Sequence, residues 1–278
     1  MESVPPRMTA PPLLHDSAIG PGRTRWWIHL LLIAAYPVVI GIISAGHGQQ
    51  AKPALGSDAR QLVLISGLEL GLFAMVFGLA WIASRVSSQE LLLSWRGGWR
   101  LLPLGIGYSL ALRITLALMA GGVGTFLIIT KVLTADQVQN FLLANRPDVG
   151  AIVDVAALKT HPFYYWLNLT LVSFVIGGLR EELWRAGFLV GLRKLWPTRF
   201  GSPSGTVLGV AIAAVAFGLG HLVQGPLAVC LTALLGFGLG LIMVLHRSIW
   251  PAVLAHGFFN ATSFALIPFV LEKLPSMN

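Results

Sequence analysis

Four charged side chains crowd into eight consecutive positions of this chain. The segment 178–185 reads GLREELWR and carries Arg180, Glu181, Glu182 and Arg185. On a helix, residues three and four positions apart are neighbours, so both glutamates can reach Arg185. Consecutive residues diverge by about 100° around the helix axis, so only one carboxylate can point fully into a central cavity. The spacing therefore predicts that one glutamate does chemistry while the other holds Arg185 in place.

Two histidines and an amide extend this chemistry. His221 follows Phe217 by four residues, and Asn260 follows His256 by four, which puts His256 and Asn260 on one helix face. A carboxylate, two imidazoles and an amide are the groups that water-activated hydrolysis requires. They supply a general base, a partner that holds the water, and donors for a developing oxyanion. The set favours a hydrolase.

The amino-acid composition indicates which environment surrounds these residues, water or lipid. Of 278 residues, 55% are hydrophobic and 11% are charged, whereas a soluble domain has about 25% charged residues. The mean hydropathy of +0.77 points to lipid. These values exclude an ordinary soluble domain and a disordered chain, and the single cysteine, Cys230, excludes a disulfide scaffold.

Seven apolar stretches reach the roughly 20 residues that a membrane-spanning helix needs. They lie at 26–46, 62–86, 101–130, 163–192, 206–223, 226–245 and 249–271. The predicted fold class is all-α, a polytopic transmembrane helix bundle of about seven to eight spans with a polar cavity among the C-terminal helices. The proline-rich residues 1–22 are predicted to form a disordered tail before a single helical membrane domain at 23–278. Residues 87–100 are predicted to form a short amphipathic helix at the interface.

The formal net charge of +8 is predicted to orient the chain in the membrane. Lys and Arg are more frequent in the segments that share a side with the N-terminus, and the positive-inside rule assigns that side to the cytoplasm. The basic residues are too sparse to form a phosphate-binding face, which excludes nucleic acid as a partner. We expect a multi-pass protein of the plasma membrane of a bacterial cell, with a cytoplasmic N-terminus.

Other polar residues inside the spans are also informative. A charge at the centre of a membrane helix costs roughly 2.5–3.5 kcal/mol, so such residues are functional candidates. Glu69 and Arg113 are expected to form an interhelical ion pair or separate polar contacts. His29, near the end of a span, is expected to be interfacial. Two pairs of glycines have the spacing that lets membrane helices approach closely: Gly67 with Gly71, and Gly236 with Gly240.

The polar residues form three ordered motifs that resemble those of the CPBP family: Glu181, Glu182 and Arg185; Phe217 and His221; His256 and Asn260. This family comprises type II CAAX prenyl endopeptidases and bacteriocin-processing or Abi membrane proteases. The resemblance covers roughly residues 160–271. It implies a membrane endopeptidase that hydrolyses a peptide bond of a membrane-associated protein or peptide, with the lipid bilayer as its surroundings.

The resemblance also implies a role for each motif residue. Glu181 is the general base that activates water together with His221. His256 and Asn260 form the oxyanion hole. Three residues support the site: Glu182, Arg185 and Phe217.

Two alternatives stay open. The family is often described as metalloproteases, and Glu181, His221 and His256 could hold zinc with an open position. The chain lacks the His-Glu-x-x-His spacing of a typical zinc protease, so a mechanism that requires no cofactor is favoured. The other alternative is a non-catalytic membrane protein, either a scaffold or a transporter in which Glu69 and Arg113 form a second charge pair.

Overall fold

The computed structural model describes residues 22–46, 53–95 and 97–273, and the predicted tail at 1–22 lies outside them apart from Gly22. Within these residues the chain forms helices, turns and loops, with no strand. Ten helices follow one another in the described stretches: α1 Arg23–Gly46, α2 Ala59–Ser84, α3 Leu101–Ile129, α4 Ala135–Ala144, α5 Val155–Thr160, α6 Pro162–Leu195, α7 Pro197–Phe200, α8 Pro203–Leu219, α9 Pro226–His246 and α10 Trp250–Lys273.

Five of these helices, α2, α3, α6, α9 and α10, are long and apolar enough to cross a membrane. Helix α8 is apolar but has only 17 residues. The seven predicted stretches correspond to α1, α2, α3, α6, α8, α9 and α10, with small differences at their ends. The predicted fold class, a polytopic helical bundle, is confirmed.

Local sequence fixes where the helices around the site begin. Proline occupies the first turn of α6, α8 and α9, where the missing N–H costs no hydrogen bond. Ser202 caps α8 by accepting a hydrogen bond from the backbone N–H of Gly205. These starts set the register of the long helices that carry the polar residues.

His29 ties three helices together and is buried inside the protein. Its side chain on α1 is fully buried. Its Nδ1 lies 3.1 Å from the carbonyl oxygen of Ala80 on α2, and its Nε2 lies 2.9 Å from that of Gly187 on α6. The position of a histidine in the sequence does not reveal such tertiary partners.

Only one of the two predicted glycine pairs lies at a close helix contact. A Cβ at Gly236 would lie 2.7 Å from Cδ1 of Phe217, and one at Gly240 would lie 2.6 Å from Cγ1 of Val210. Helices α8 and α9 approach closely there because these glycines lack side chains. By contrast, Gly67 and Gly71 on α2 face open space.

The segment after α2 forms turns instead of the predicted amphipathic helix. Leu92, Gly97 and Gly98 have positive φ angles, which interrupt a helix. The segment still docks on the bundle, because Trp95 packs edge-on against Trp250 at 4.9 Å between ring centroids. Trp99 is largely exposed, as an interfacial aromatic residue should be.

Candidate active site

The site begins where α6 changes its geometry. Residues Asn168–Arg180 form a wide π-type helix, and Glu181 is the first residue of the regular α-helix that follows. The Ser173 hydroxyl donates to the carbonyl of Asn168, five residues earlier, at 2.7 Å. Such segments are rare and often mark functional sites. The sequence predicts a regular helix here, since no periodicity in it signals the widening.

Glu182 and Arg185 form an ion pair that is fully buried. Oε1 of Glu182 also lies 3.1 Å from Nδ1 of His256 on α10. A buried charge is tolerated when its partners satisfy it, and here one carboxylate serves both a guanidinium and an imidazole. Glu182 is therefore the glutamate that holds Arg185, and it links α6 to α10.

Glu181 has different partners from its neighbour. Its Oε1 accepts a hydrogen bond from Nη2 of Arg180 at 2.9 Å, and its Oε2 lies 3.7 Å from Nε2 of His256. The side chain of Glu181 is 18% exposed, whereas that of Glu182 is completely buried. The two carboxylates thus diverge as helix geometry requires, and Glu181 is the more exposed of the two.

The imidazole of His256 lies between these two carboxylates. Because the Glu182 carboxylate only accepts, the hydrogen bond at Nδ1 requires a proton on that nitrogen. Neutral His256 then presents an unprotonated Nε2 toward Glu181, whereas imidazolium presents an N–H there. Donation to an oxyanion therefore requires the imidazolium form.

Phe217 is the apolar centre of the polar cluster. Its ring centroid lies 4.8 Å from that of His221 and 5.9 Å from that of His256. The guanidinium carbon of Arg185 lies 4.9 Å from the same centroid, a cation–π geometry. Phe217 therefore brings residues of α6, of α10 and of the segment after α8 into one cluster.

His221 lies just after α8, which ends at Leu219. Its Nδ1 is 2.9 Å from the carbonyl oxygen of Phe217, so Nδ1 carries a proton and Nε2 is left as the acceptor in the neutral ring. A short 3₁₀ turn, Leu222–Gln224, follows. The backbone N–H of Asp148 donates to the carbonyl of Gln224 at 3.0 Å, which ties this turn to the segment before α5.

Asn260 lies one helical turn after His256, against the widened part of α6. A Cβ atom at Gly177 would overlap with Nδ2 of Asn260. The amide therefore occupies space that only a glycine at position 177 leaves open. Asn260 and His256 share a helix face as predicted, and both lie beside α6.

Glu69 and Arg113 do not pair with each other among the described residues. Glu69 forms an ion pair with Arg180. Arg113 donates to the carbonyl of Phe259 and to the Ser263 hydroxyl, and its guanidinium carbon lies 4.1 Å from the centroid of the Phe259 ring. Arg113 thus makes separate polar contacts, which is one of the two expected arrangements. Glu69 instead pairs with Arg180, the residue before Glu181. The second charge pair invoked for a transporter is not formed.

Glu181, His221 and His256 are the residues that the sequence suggests as alternative zinc ligands. No group of three or more His, Cys, Asp or Glu side chains in the described stretches is arranged to hold a metal ion. Glu181 and His256 approach each other, but the ring of His221 packs on Phe217. We derive no catalytic step through a metal.

A cavity of about 720 Å³ lies beside the site. Its walls come from α2, the turns after α2 and α6, and they are largely apolar, with Arg180, Ser87 and Ser88 among the polar exceptions. This cavity differs in location and lining from the polar cavity expected among the C-terminal helices. Arg180 connects it to Glu181.

Residues 162–262 match the family model of type II CAAX prenyl endopeptidase Rce1-like proteins. No curated protein and no solved structure matches the chain. The matched stretch falls within the predicted motif region 160–271 and contains all seven residues of the three motifs. The resemblance is thus confirmed over this part of the chain: residues 162–262 are similar to the Rce1-like domain of type II CAAX prenyl endopeptidases.

Proposed function

We propose that this protein is a CPBP-type, CAAX prenyl protease type II-like endopeptidase that hydrolyses a peptide bond of a membrane-associated protein or peptide. The observation that carries the proposal is the position of His256 between Glu181 and Glu182, inside the matched stretch. The apolar helices and the family together indicate a multi-pass membrane protein. We further propose that it resides in a bacterial plasma membrane with its N-terminus in the cytoplasm.

In the proposed mechanism, the Glu181 carboxylate is the general base. It removes a proton from a water molecule, and the water oxygen forms a bond to the carbonyl carbon of the substrate. The unprotonated Nε2 of His221 accepts a hydrogen bond from the other O–H of this water and orients it. The hydrogen bond from Nδ1 of His221 to Phe217 supports this role, because it leaves Nε2 as the acceptor.

The electron pair of the carbonyl double bond moves to the oxygen as the water attacks. We assign stabilisation of this oxyanion to Nε2–H of His256 in its imidazolium form and to Nδ2 of Asn260. Glu182 supports the assignment, since its contact with Nδ1 fixes the ring of His256. When the carbon–nitrogen bond breaks, the proton held by Glu181 passes to the leaving amine.

Hydrolysis of a peptide library by purified protein in detergent tests this function. The set contains the wild type, Glu181→Gln, His221→Ala and Glu90→Gln, and products are identified by mass spectrometry. Loss of the general base should lower the rate by about 10²–10⁴-fold. Glu90→Gln is the matched control, because Glu90 pairs with Lys194 and does not contact any proposed catalytic residue. Cleavage that survives Glu181→Gln at the wild-type rate would overturn the mechanism.

The metal requirement needs its own arm of this experiment. The proposed mechanism predicts that a chelator leaves the rate unchanged, since no proposed step uses a metal. Inactivation by chelator followed by recovery with zinc would favour the zinc-dependent protease. The wild-type protein serves as its own control, measured before and after removal of the chelator by dialysis.

A further inference from the structure

We propose that Glu69 on α2 is a positioning residue for Glu181 and acts through Arg180. This inference rests on the proposed function, because it assigns Glu69 a part in tuning the general base. Glu69 lies outside the stretch that matches the protease family. It belongs to a different helix from every residue of the three motifs.

The geometry forms a chain of three charges. Nη1 of Arg180 pairs with Oε1 of Glu69, and Nη2 of the same guanidinium lies 2.9 Å from Oε1 of Glu181. Tyr36 on α1 adds a third partner, with its hydroxyl 3.3 Å from Nη1. The planar guanidinium is thus held from α1 and α2 on one side while it binds Glu181 on the other.

All three charged side chains are largely removed from solvent. Arg180 is 11% exposed, Glu69 17% and Glu181 18%. The guanidinium also contributes to the wall of the apolar cavity. Water screens charge poorly in such surroundings, so each ion pair affects its neighbour more strongly than it would at a solvated surface.

Sharing one cation between two carboxylates changes the properties of both. Opposite charge within about 4–6 Å stabilises the ionised form of a carboxyl group and makes it a weaker base. Glu69 neutralises part of the attraction that Arg180 exerts on Glu181. Without Glu69, the whole charge of Arg180 acts on Glu181, which then removes a proton from water less readily.

The other ionisable groups around Glu181 come from three elements. They are Tyr36 on α1, His256 on α10, and Arg180, Glu182 and Arg185 on α6 itself. Glu182 is already paired with Arg185 and His256, so it cannot replace Glu69 as a partner of Arg180. Glu69 is therefore the acidic residue placed to balance Arg180.

The test compares pH–rate profiles of kcat/KM for the wild type, Glu69→Gln, Glu69→Asp and the double variant Glu69→Gln/Arg180→Gln. In Glu69→Gln we expect the plateau of kcat/KM to be about tenfold lower and its acid limb to move down by about one pH unit. Glu69→Asp keeps the negative charge, so its rate and its acid limb should lie between those of Glu69→Gln and the wild type. The double variant removes the unbalanced cation, so its acid limb should move back up. The pH–rate profile of Glu90→Gln should match that of the wild type.

A purely structural ion pair predicts a different result: a lower melting temperature in Glu69→Gln and an unchanged acid limb. That outcome would overturn the proposal. An infrared pH titration of the carboxyl band that Glu181→Gln removes gives a readout independent of activity. This band should titrate at lower pH in Glu69→Gln than in the wild type. If the band shifts but the wild type cleaves no peptide, the proposed function fails and the coupling between Glu69 and Glu181 stands. A band that does not shift overturns the coupling itself.

Discussion

The Nδ1 atom of His256 lies 3.1 Å from Oε1 of Glu182, and this contact joins two residues on different helices that are 74 positions apart in the chain. Glu182 in turn pairs with Arg185, and neither of these two side chains is exposed. The orientation of His256 therefore depends on a buried ion pair. Because Nδ1 is occupied, the remaining ring nitrogen is directed toward Glu181 at 3.7 Å.

We first predict that Glu182→Gln costs both stability and activity. The substitution leaves the buried charge of Arg185 without a carboxylate, which typically destabilises a protein by about 3–5 kcal/mol. The melting temperature in detergent should fall, and kcat should decrease because the ring of His256 loses its charged partner. The second variant, Glu182→Gln/Arg185→Met, removes both charges and should recover most of the lost stability without recovering activity. A double variant as unstable as the single one would contradict this account of the pair.

A second prediction concerns Gly177. In Gly177→Ala, the new Cβ would overlap with the amide nitrogen of Asn260. We expect Asn260 to be displaced from its position beside α6 and kcat to fall by about 10²-fold, as when one oxyanion donor is removed. Gly71→Ala is the control, since a Cβ there meets nothing within 4 Å. Equal activities of the two variants in the peptide assay would argue against the assigned position of Asn260.

Phe217 provides a third prediction. Its ring contacts His221, His256 and the guanidinium of Arg185. Phe217→Leu keeps an apolar side chain but removes the flat ring on which these groups pack. We expect kcat to fall about tenfold with little change in KM, because the catalytic groups lose alignment while the substrate-binding surface stays. Phe126→Leu, at a largely exposed position of α3, should leave both parameters unchanged. A change confined to KM would assign Phe217 to substrate binding instead.

The helices could be predicted because lipid is the solvent. Long apolar stretches of sequence must become helices in a bilayer, where every backbone hydrogen bond has to be made internally. The pairing of Glu182 with Arg185 was also predictable, since residues three positions apart on a helix are neighbours. Both inferences depend only on local sequence and on the periodicity of the α-helix.

The contacts between helices could not be predicted in the same way. Glu69 and Arg180 are 111 positions apart, and their pairing depends on how α2 packs against α6. The burial of His29 between carbonyl groups of α2 and α6 has the same origin. Hydropathy alone does not distinguish the widened segment before Glu181 from a regular helical segment. Tertiary packing decides these features, and a single sequence does not report it.

Glu90 supports a final prediction about stability at low pH. It lies in the turns after α2, outside the membrane-spanning helices, where its Oε1 is 2.6 Å from Nζ of Lys194. Partial burial alone would raise the pKa of Glu90, but the hydrogen bonds from Lys194 and Ser87 outweigh it and hold that pKa below its ordinary value of 4.5. The folded protein therefore binds a proton at Glu90 less readily than the unfolded chain does.

The sign of the effect follows from this difference. The contribution of Glu90 to stability is present above the unfolded pKa and is lost as the pH falls through the lower pKa of the folded state. The wild type should therefore melt at a higher temperature than Glu90→Gln near neutral pH, and this difference should disappear as the pH falls below 4.5 and through the pKa of the folded state. It should also shrink in high salt, because this pair is partly exposed and is screened by ions. A gap that stayed constant across the titration would show that the Glu90 carboxylate contributes through packing and not through its charge.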